Sequence, residues 1–256
     1  MNLITFPALT DAVIYTYGFY IFLSVFVFKL ESSGTFNLPY SKFAKGHGVS
    51  PKVGMFIIYF LPILAYLYTW NTSDNPKLFY QWITLIAFVI HFGKRCLEVL
   101  FLHKFSGKIG MLGVFFITIA YSNIGLITGS LHNHTSESHV TQIPVWWTAL
   151  GATFFSIGQI GNLYHHILLT KLRSGNEKEY KIPNQGLFQK LVCPHYFFEL
   201  VSWLGFAILS TYADSFFILM IMTAYLSGRS NRTREWYIEK LPGFPLERKR
   251  ILPGIY

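Results

Sequence analysis

Nearly unbroken apolar runs at 12–28, 53–70, 79–102, 110–129, 145–170, 191–210 and 213–226 divide the chain. Each approaches the roughly 20 apolar residues with which a helix crosses the hydrocarbon core of a bilayer. The pattern therefore predicts an all-α, polytopic membrane protein with about seven transmembrane helices. The first, second and fourth runs are clean. Lys94 and Arg95 interrupt the third, and the fifth and sixth carry His, Asn and Glu. The seventh is short for a crossing and is expected to extend toward Ser227. No internal repeat, low-complexity tract or soluble stretch long enough to fold alone breaks the series, so residues 1–256 read as a single membrane domain. The first run lacks a basic n-region and a small-residue cleavage pattern, which makes it a retained helix rather than a signal peptide.

Composition agrees with this division. Only 13% of the residues are charged and 52% are hydrophobic, whereas soluble domains carry about 25% charged residues. The net charge of +9 could suggest nucleic acid, but the bases lie in clusters between apolar runs, so no nucleic-acid partner is expected. Lys29, Lys42, Lys45 and Lys52 separate runs one and two, and Lys94, Arg95, Lys104 and Lys108 fall between the centres of three and four. Lys171, Arg173, Lys178, Lys181 and Lys190 separate five and six, and the tail holds Arg229, Arg232, Arg234, Lys240, Arg248, Lys249 and Arg250. Seven spans thus put 20 of the 21 Lys and Arg on one side, with Lys77 alone on the other. Because positive residues stay cytosolic, the N-terminus is expected in the lumen and the C-terminus in the cytosol. Sequons at Asn71 and Asn133 then fall in lumenal loops and a third, at Asn231, in the cytosol; their use stays open. Cys96 and Cys193 both fall near the cytosolic side, where a disulfide is not expected.

Polar residues inside apolar helices are costly to bury and mark candidate chemistry. Asn162, His166 and Arg173 are spaced to share one helical stripe. An amide, an imidazole and a guanidinium on one face can hold sugar hydroxyls and a phosphate; a polar seam between helices, with Arg173 reaching the surface, explains the spacing equally well. The second place is Cys193-Pro194-His195-Tyr196, followed by Glu199 and Trp203. Pro194 suits a helix start, and His195, Glu199 and Trp203 then follow at i, i+4 and i+8. Glu199 there could bind an amide or a ribose, or pair with an arginine. The third place is His91-Phe92-Gly93-Lys94-Arg95, where an Arg95–Glu98 pair at the membrane surface is the simpler reading. The nine histidines form no HxxHH or HExxH cluster, which disfavours a di-iron or zinc site. His132, His134 and His139 are expected to be solvated in a lumenal loop. No GxGxxG follows a strand, so a nicotinamide cofactor would have to be held by helices and loops.

On these residues, positions 150–256 resemble the C-terminal, cofactor-binding domain of the steroid 5α-reductase family. That family includes steroid, polyprenol and very-long-chain trans-2-enoyl-CoA reductases. The matching stretches are 162–173, 180–188 (Tyr-Lys-Ile-Pro-Asn-Gln-Gly-Leu-Phe), 193–205 and 245–256. The segment from Lys94-Arg95 to Phe105-Ser106 is most similar to the enoyl-CoA reductase branch, as is His166, where steroid reductases carry Asp. The resemblance implies a seven-helix fold in the endoplasmic reticulum membrane. It also implies an oxidoreductase acting on CH–CH groups with NADP as acceptor, in fatty acid elongation or steroid metabolism. NADPH would enter from the cytosolic side and be lined by Asn162, His166, Arg173, Tyr180, His195, Glu199, Arg229 and Tyr237. Reducing a double bond conjugated to a carbonyl puts negative charge on the carbonyl oxygen, which a hydroxyl must stabilise or protonate. Tyr196 matches a Tyr in that role, and a phenol is protonated at neutral pH. The substrate would be a lipid drawn from the bilayer, and the resemblance leaves room for association with other lipid-synthesis enzymes.

The departures bear on the substrate. Steroid reductases polarise the 3-oxo group with a Glu and a Tyr whose positions align with Phe60 and Phe92 here. Neither can donate a hydrogen bond, which disfavours a 3-oxo-Δ4-steroid unless a nearby tyrosine such as Tyr59 substitutes. His195 stands where the family usually has Asn. The sequence also lacks the ubiquitin-like N-terminal domain of many enoyl-CoA reductases, as a divergent branch would. Two other classes stay open: an S-adenosylmethionine-dependent membrane methyltransferase of the isoprenylcysteine type, of which Cys193-Pro-His-Tyr is a partial match, and a non-catalytic lipid-binding membrane protein.

Overall fold

The computed structural model describes residues 3–33, 48–105, 107–172 and 181–256. Among the described residues, seven long helices lie at the seven apolar runs: α1 (Asp11–Ser33), α2 (Pro51–Thr72), α3 (Phe79–Leu97), α4 (Met111–Asn133), α6 (Val145–Lys171), α7 (Pro194–Ser210) and α8 (Ala213–Lys240), with a one-turn α5 (Glu137–Val140) between α4 and α6. Helices α1, α2 and α4 are long and apolar enough to cross a membrane. The burial pattern of α1 is that of a lipid-solvated helix. The buried residues of α1 are Ser24 and Glu31, while Tyr15, Phe19 and Phe22 are exposed. A water-solvated helix turns its aromatic residues the other way. Helix α8 runs fourteen residues past the apolar run that predicted it; the extension carries Arg229, Arg232 and Arg234 and is held by packing rather than hydropathy. The third run breaks at Leu97 into a π-helical turn, Glu98–Leu102.

The helices sort into two compact units. One contains α2–α5, the start of α6, the end of α7 and the start of α8. Its interior is polar at the level of His132, which is fully buried between the Tyr66 hydroxyl, 2.8 Å from Nδ1, and Ser210 Oγ, 2.9 Å from Nε2. Tyr80 donates to the Ser210 carbonyl. This corrects the solvated loop expected for His132, because α4 continues to Asn133 and carries the imidazole into the bundle. His134 does remain exposed. The sequon Asn133 is buried as well: its side-chain amide donates to Thr69 Oγ1 (3.1 Å), and its backbone carbonyl accepts from Ser73 Oγ (2.9 Å). Asn71 is exposed at the end of α2.

In the same unit Thr211 takes a left-handed backbone, φ 61°, which is unfavourable for a β-branched residue. The N-terminal Thr5 pins it by donating its N–H to the Thr211 carbonyl (2.7 Å), and His139 Nε2 lies 3.1 Å from Thr211 Oγ1 and 3.2 Å from Thr5 Oγ1. Desolvation lowers the His139 pKa from its ordinary 6.5. The unfolded chain therefore takes up this proton more readily than the folded one. The stability that neutral His139 contributes is complete above about pH 6.5 and is lost as pH falls below it. Thermal unfolding in detergent should show the midpoint falling between about pH 7.5 and pH 5.5, with a shallower slope in His139→Gln.

Candidate functional site

The second unit contains α1, the remainder of α6, the start of α7, most of α8 and the C-terminal segment. Its organising feature is a close crossing of α6 and α7. A Cβ at Gly158 would overlap the Ser202 backbone, and one at Gly161 would overlap the Phe198 ring; small residues allow backbones to approach this closely. Gln159 Nε2 donates to Ser202 Oγ at 2.5 Å across the same seam. One turn further along α6, Asn162 Nδ2 donates to the His195 carbonyl at 2.9 Å. This bond joins the polar stripe of α6 to the head of α7, which begins at Pro194 as its sequence predicts.

Around that joint the imidazoles of His166 and His195 lie 5.4 Å apart between centroids, and His195 lies 4.3 Å from the Tyr196 ring. Asn162 and His166 are buried, whereas His195, Tyr196 and Glu199 are half-buried. Trp203 is buried two turns beyond His195. The C-terminal segment braces the head of α7. Val192 N–H donates to the Lys249 carbonyl (2.8 Å) and Cys193 N–H to that of Arg250 (3.0 Å). Tyr237 and Phe244 pack with Val192 and Cys193, and Tyr196 lies against that cluster. Arg248 reaches the Pro183 carbonyl at 2.6 Å.

Of the residues named from sequence, the structure brings Asn162, His166, His195 and Tyr196 into one array, with Glu199 on the next turn of α7 and Tyr237 in the supporting cluster. Arg173 and Tyr180 lie outside the described residues. Arg229 is buried and its Nη1 donates to Glu31 Oε2 at 3.1 Å. A buried pair of this kind adds little net stability, but removing one partner costs about 3–5 kcal/mol.

Residues 107–256 match the family profile described as 3-oxo-5-alpha-steroid 4-dehydrogenase. The chain belongs to this family. It is 31% identical over 202 residues to a very-long-chain enoyl-CoA reductase of Dictyostelium discoideum, covering 77% of this chain and 64% of that protein. The chain thus spans less than two thirds of that relative's length. It is 27% identical over 232 residues to a steroid 5-alpha-reductase of Gossypium hirsutum (85% of this chain, 88% of the relative). It is also 26% identical over 209 residues to the human 3-oxo-5-alpha-steroid 4-dehydrogenase 1 (80% and 81%).

The region matching the 3-oxo-5-alpha-steroid 4-dehydrogenase family contains the whole α6–α7 array. Helices α2 and α3, which carry Phe60 and Phe92, precede it. Phe60 is exposed and stacks on Phe56, while Phe92 is buried against Phe88 and Tyr121. Tyr59, beside Phe60, is buried and accepts from Arg95 Nη2 at 2.9 Å. Glu98 is paired with Arg95 and with Lys94. The predicted Arg95–Glu98 pair is therefore present, and its carboxylate is buried at the start of the π-helical turn.

Two contributors escaped the sequence reading. His165 is buried; its Nε2 accepts from the Leu187 N–H (3.2 Å), so Nδ1 carries the proton donated to the Gly161 carbonyl (2.7 Å). It ties α6 to the turn at Gly186–Gln189 and stacks on Phe198. Its place beside His166 in the sequence was the available signal. Glu31 is the other, and no local pattern ties it to Arg229, 198 positions away.

Proposed function

We propose that the chain is an NADPH-dependent membrane reductase of a carbon–carbon double bond conjugated to a carbonyl in a lipid. The observation that carries this reading is the hydrogen bond from Asn162 to His195, which assembles amide, imidazoles and phenol into one array within the region matching the family. The donor set fits the cofactor: a carboxamide and imidazoles suit ribose hydroxyls and the nicotinamide amide, and a guanidinium suits phosphate. Asn162, His166, Arg173, Tyr180, His195, Glu199, Arg229 and Tyr237 would hold NADPH, which supplies a hydride equivalent when bound. Tyr196 is assigned to the carbonyl oxygen, on which charge develops as the β-carbon is reduced, and it donates the hydrogen bond or proton needed there.

The relatives carry names for both enoyl-CoA and steroid reductases. With Phe60 and Phe92 unable to donate a hydrogen bond, an enoyl thioester is the first substrate class to test and a 3-oxo-Δ4-steroid the second. The reading also takes all seven long helices as membrane spans, with the N-terminus lumenal, the tail cytosolic and the chain in the endoplasmic reticulum. Membranes expressing the chain, given NADPH and a panel of enoyl-CoA, enone-steroid and polyprenoid lipids, should yield a product two hydrogens heavier from at least one. No NADPH consumption with any of them, or activity unchanged in both Arg173→Ala and Glu199→Ala, contradicts the proposal.

A further inference from the structure

Helix α1 lies outside residues 107–256, which match the family profile, yet it packs in the unit that contains the candidate cofactor residues. Along α8, the ring of Tyr17 stacks on Phe217 with centroids 4.2 Å apart. Toward the other end of α1, Gly228 allows the two backbones to meet: a Cβ there would stand 2.8 Å from the Phe28 carbonyl oxygen and 3.0 Å from Glu31 Cβ. The next residue on α8 is Arg229, which donates to Glu31 at 3.1 Å; each of the two side chains is 2% exposed. Ser32 Oγ is buried at the same joint and has no hydrogen-bond partner among the described residues.

Two physical points give this pair a role beyond holding helices together. A buried ion pair is a poor source of stability compared with apolar packing of equal volume, which leaves definition of geometry as a role it can fill. An arginine is a flexible stem ending in a rigid fork of five donors. Fixing one edge of the fork on a carboxylate sets the direction in which the others point. Removing Glu31 takes away the carboxylate on which this fork is fixed.

We infer that Glu31 is the positioning residue for Arg229, making α1 a working part of the cofactor pocket. This rests on the reading of Arg229 as one of the residues that hold NADPH. Glu31 does not touch the cofactor; it holds the guanidinium in the orientation that receives an anionic oxygen. Shortening the carboxylate by one methylene keeps the charge pair but draws the fork out of line.

The test compares purified wild type, Glu31→Asp and Glu31→Gln for thermal midpoint, KM for NADPH and kcat. Folded Glu31→Asp should raise KM for NADPH about tenfold, as loss of one oriented hydrogen bond to an anion does, with kcat within about twofold because the reacting atoms are untouched. Glu31→Gln should show the same split. Wild-type KM in both folded variants makes the pair merely structural and overturns the inference, as does a fall in kcat with KM unchanged. If neither variant folds, hydrogen–deuterium exchange on the wild type decides: NADPH should add protection to the peptide spanning Lys29–Ser33, and no change there overturns the inference. Wild type that binds no NADPH at all removes the cofactor reading itself, a different failure from that of Glu31.

Discussion

Tyr196→Phe should lower turnover roughly 10²–10⁴-fold, the range by which a positioned general acid accelerates proton transfer, while leaving the protein folded. The substitution removes one oxygen and keeps the ring. The ring's packing against the cluster of Val192, Cys193, Tyr237 and Phe244 and its place beside His195 should therefore survive. Cofactor binding is assigned to other side chains, so KM for NADPH should move by no more than about threefold. Product formation read by mass, beside a thermal unfolding curve, checks both halves. Full turnover by intact Tyr196→Phe would remove Tyr196 as the donor and leave the oxygen to another group.

The second large effect is expected at Gly158. Its missing side chain is what allows α6 to touch the backbone of α7 at Ser202, and backbone cannot rotate aside as a side chain can. Gly158→Ala must push the helices apart, at a cost of about 1–3 kcal/mol for overpacking. The displacement passes directly to the Asn162–His195 hydrogen bond one turn away. Both the thermal midpoint and the affinity for NADPH should fall, and Gly158→Val should abolish folding. Gly93 on α3 is the control: nothing stands within 4 Å of a Cβ built there. Gly93→Ala should therefore leave the midpoint unchanged or raise it by the helix-propensity gain of about 0.5–1 kcal/mol. A midpoint for Gly158→Ala equal to that of Gly93→Ala would contradict the close crossing.

The long helices were legible because bilayer-scale hydrophobic runs need only composition and length to be seen. What composition cannot show is where a helix continues after it turns polar. Helix α8 runs on to Lys240 through three arginines, and α4 carries His132 beyond its last apolar turn, so both ends were read short. The array on α6 and α7 was half legible. Spacing placed Asn162 and His166 on one face and Pro194 at a helix start, because local periodicity fixes such relations. Spacing could not distinguish a cofactor stripe from a structural seam, and the structure shows Asn162 in contact with the head of α7. The Tyr66–His132–Ser210 chain and the Glu31–Arg229 pair were invisible because each joins residues far apart in sequence. Only packing reveals a partner of that kind.

The most direct test of the account follows hydrogen from cofactor to lipid. Purified protein would be given NADPH deuterated at its transferable position, together with an enoyl-CoA, an enone steroid and a polyprenoid in separate reactions. The account predicts a saturated product carrying one deuterium at the carbon β to the carbonyl and one solvent hydrogen at the α-carbon. A reduced lipid without deuterium, or NADPH left intact with every substrate, would contradict it.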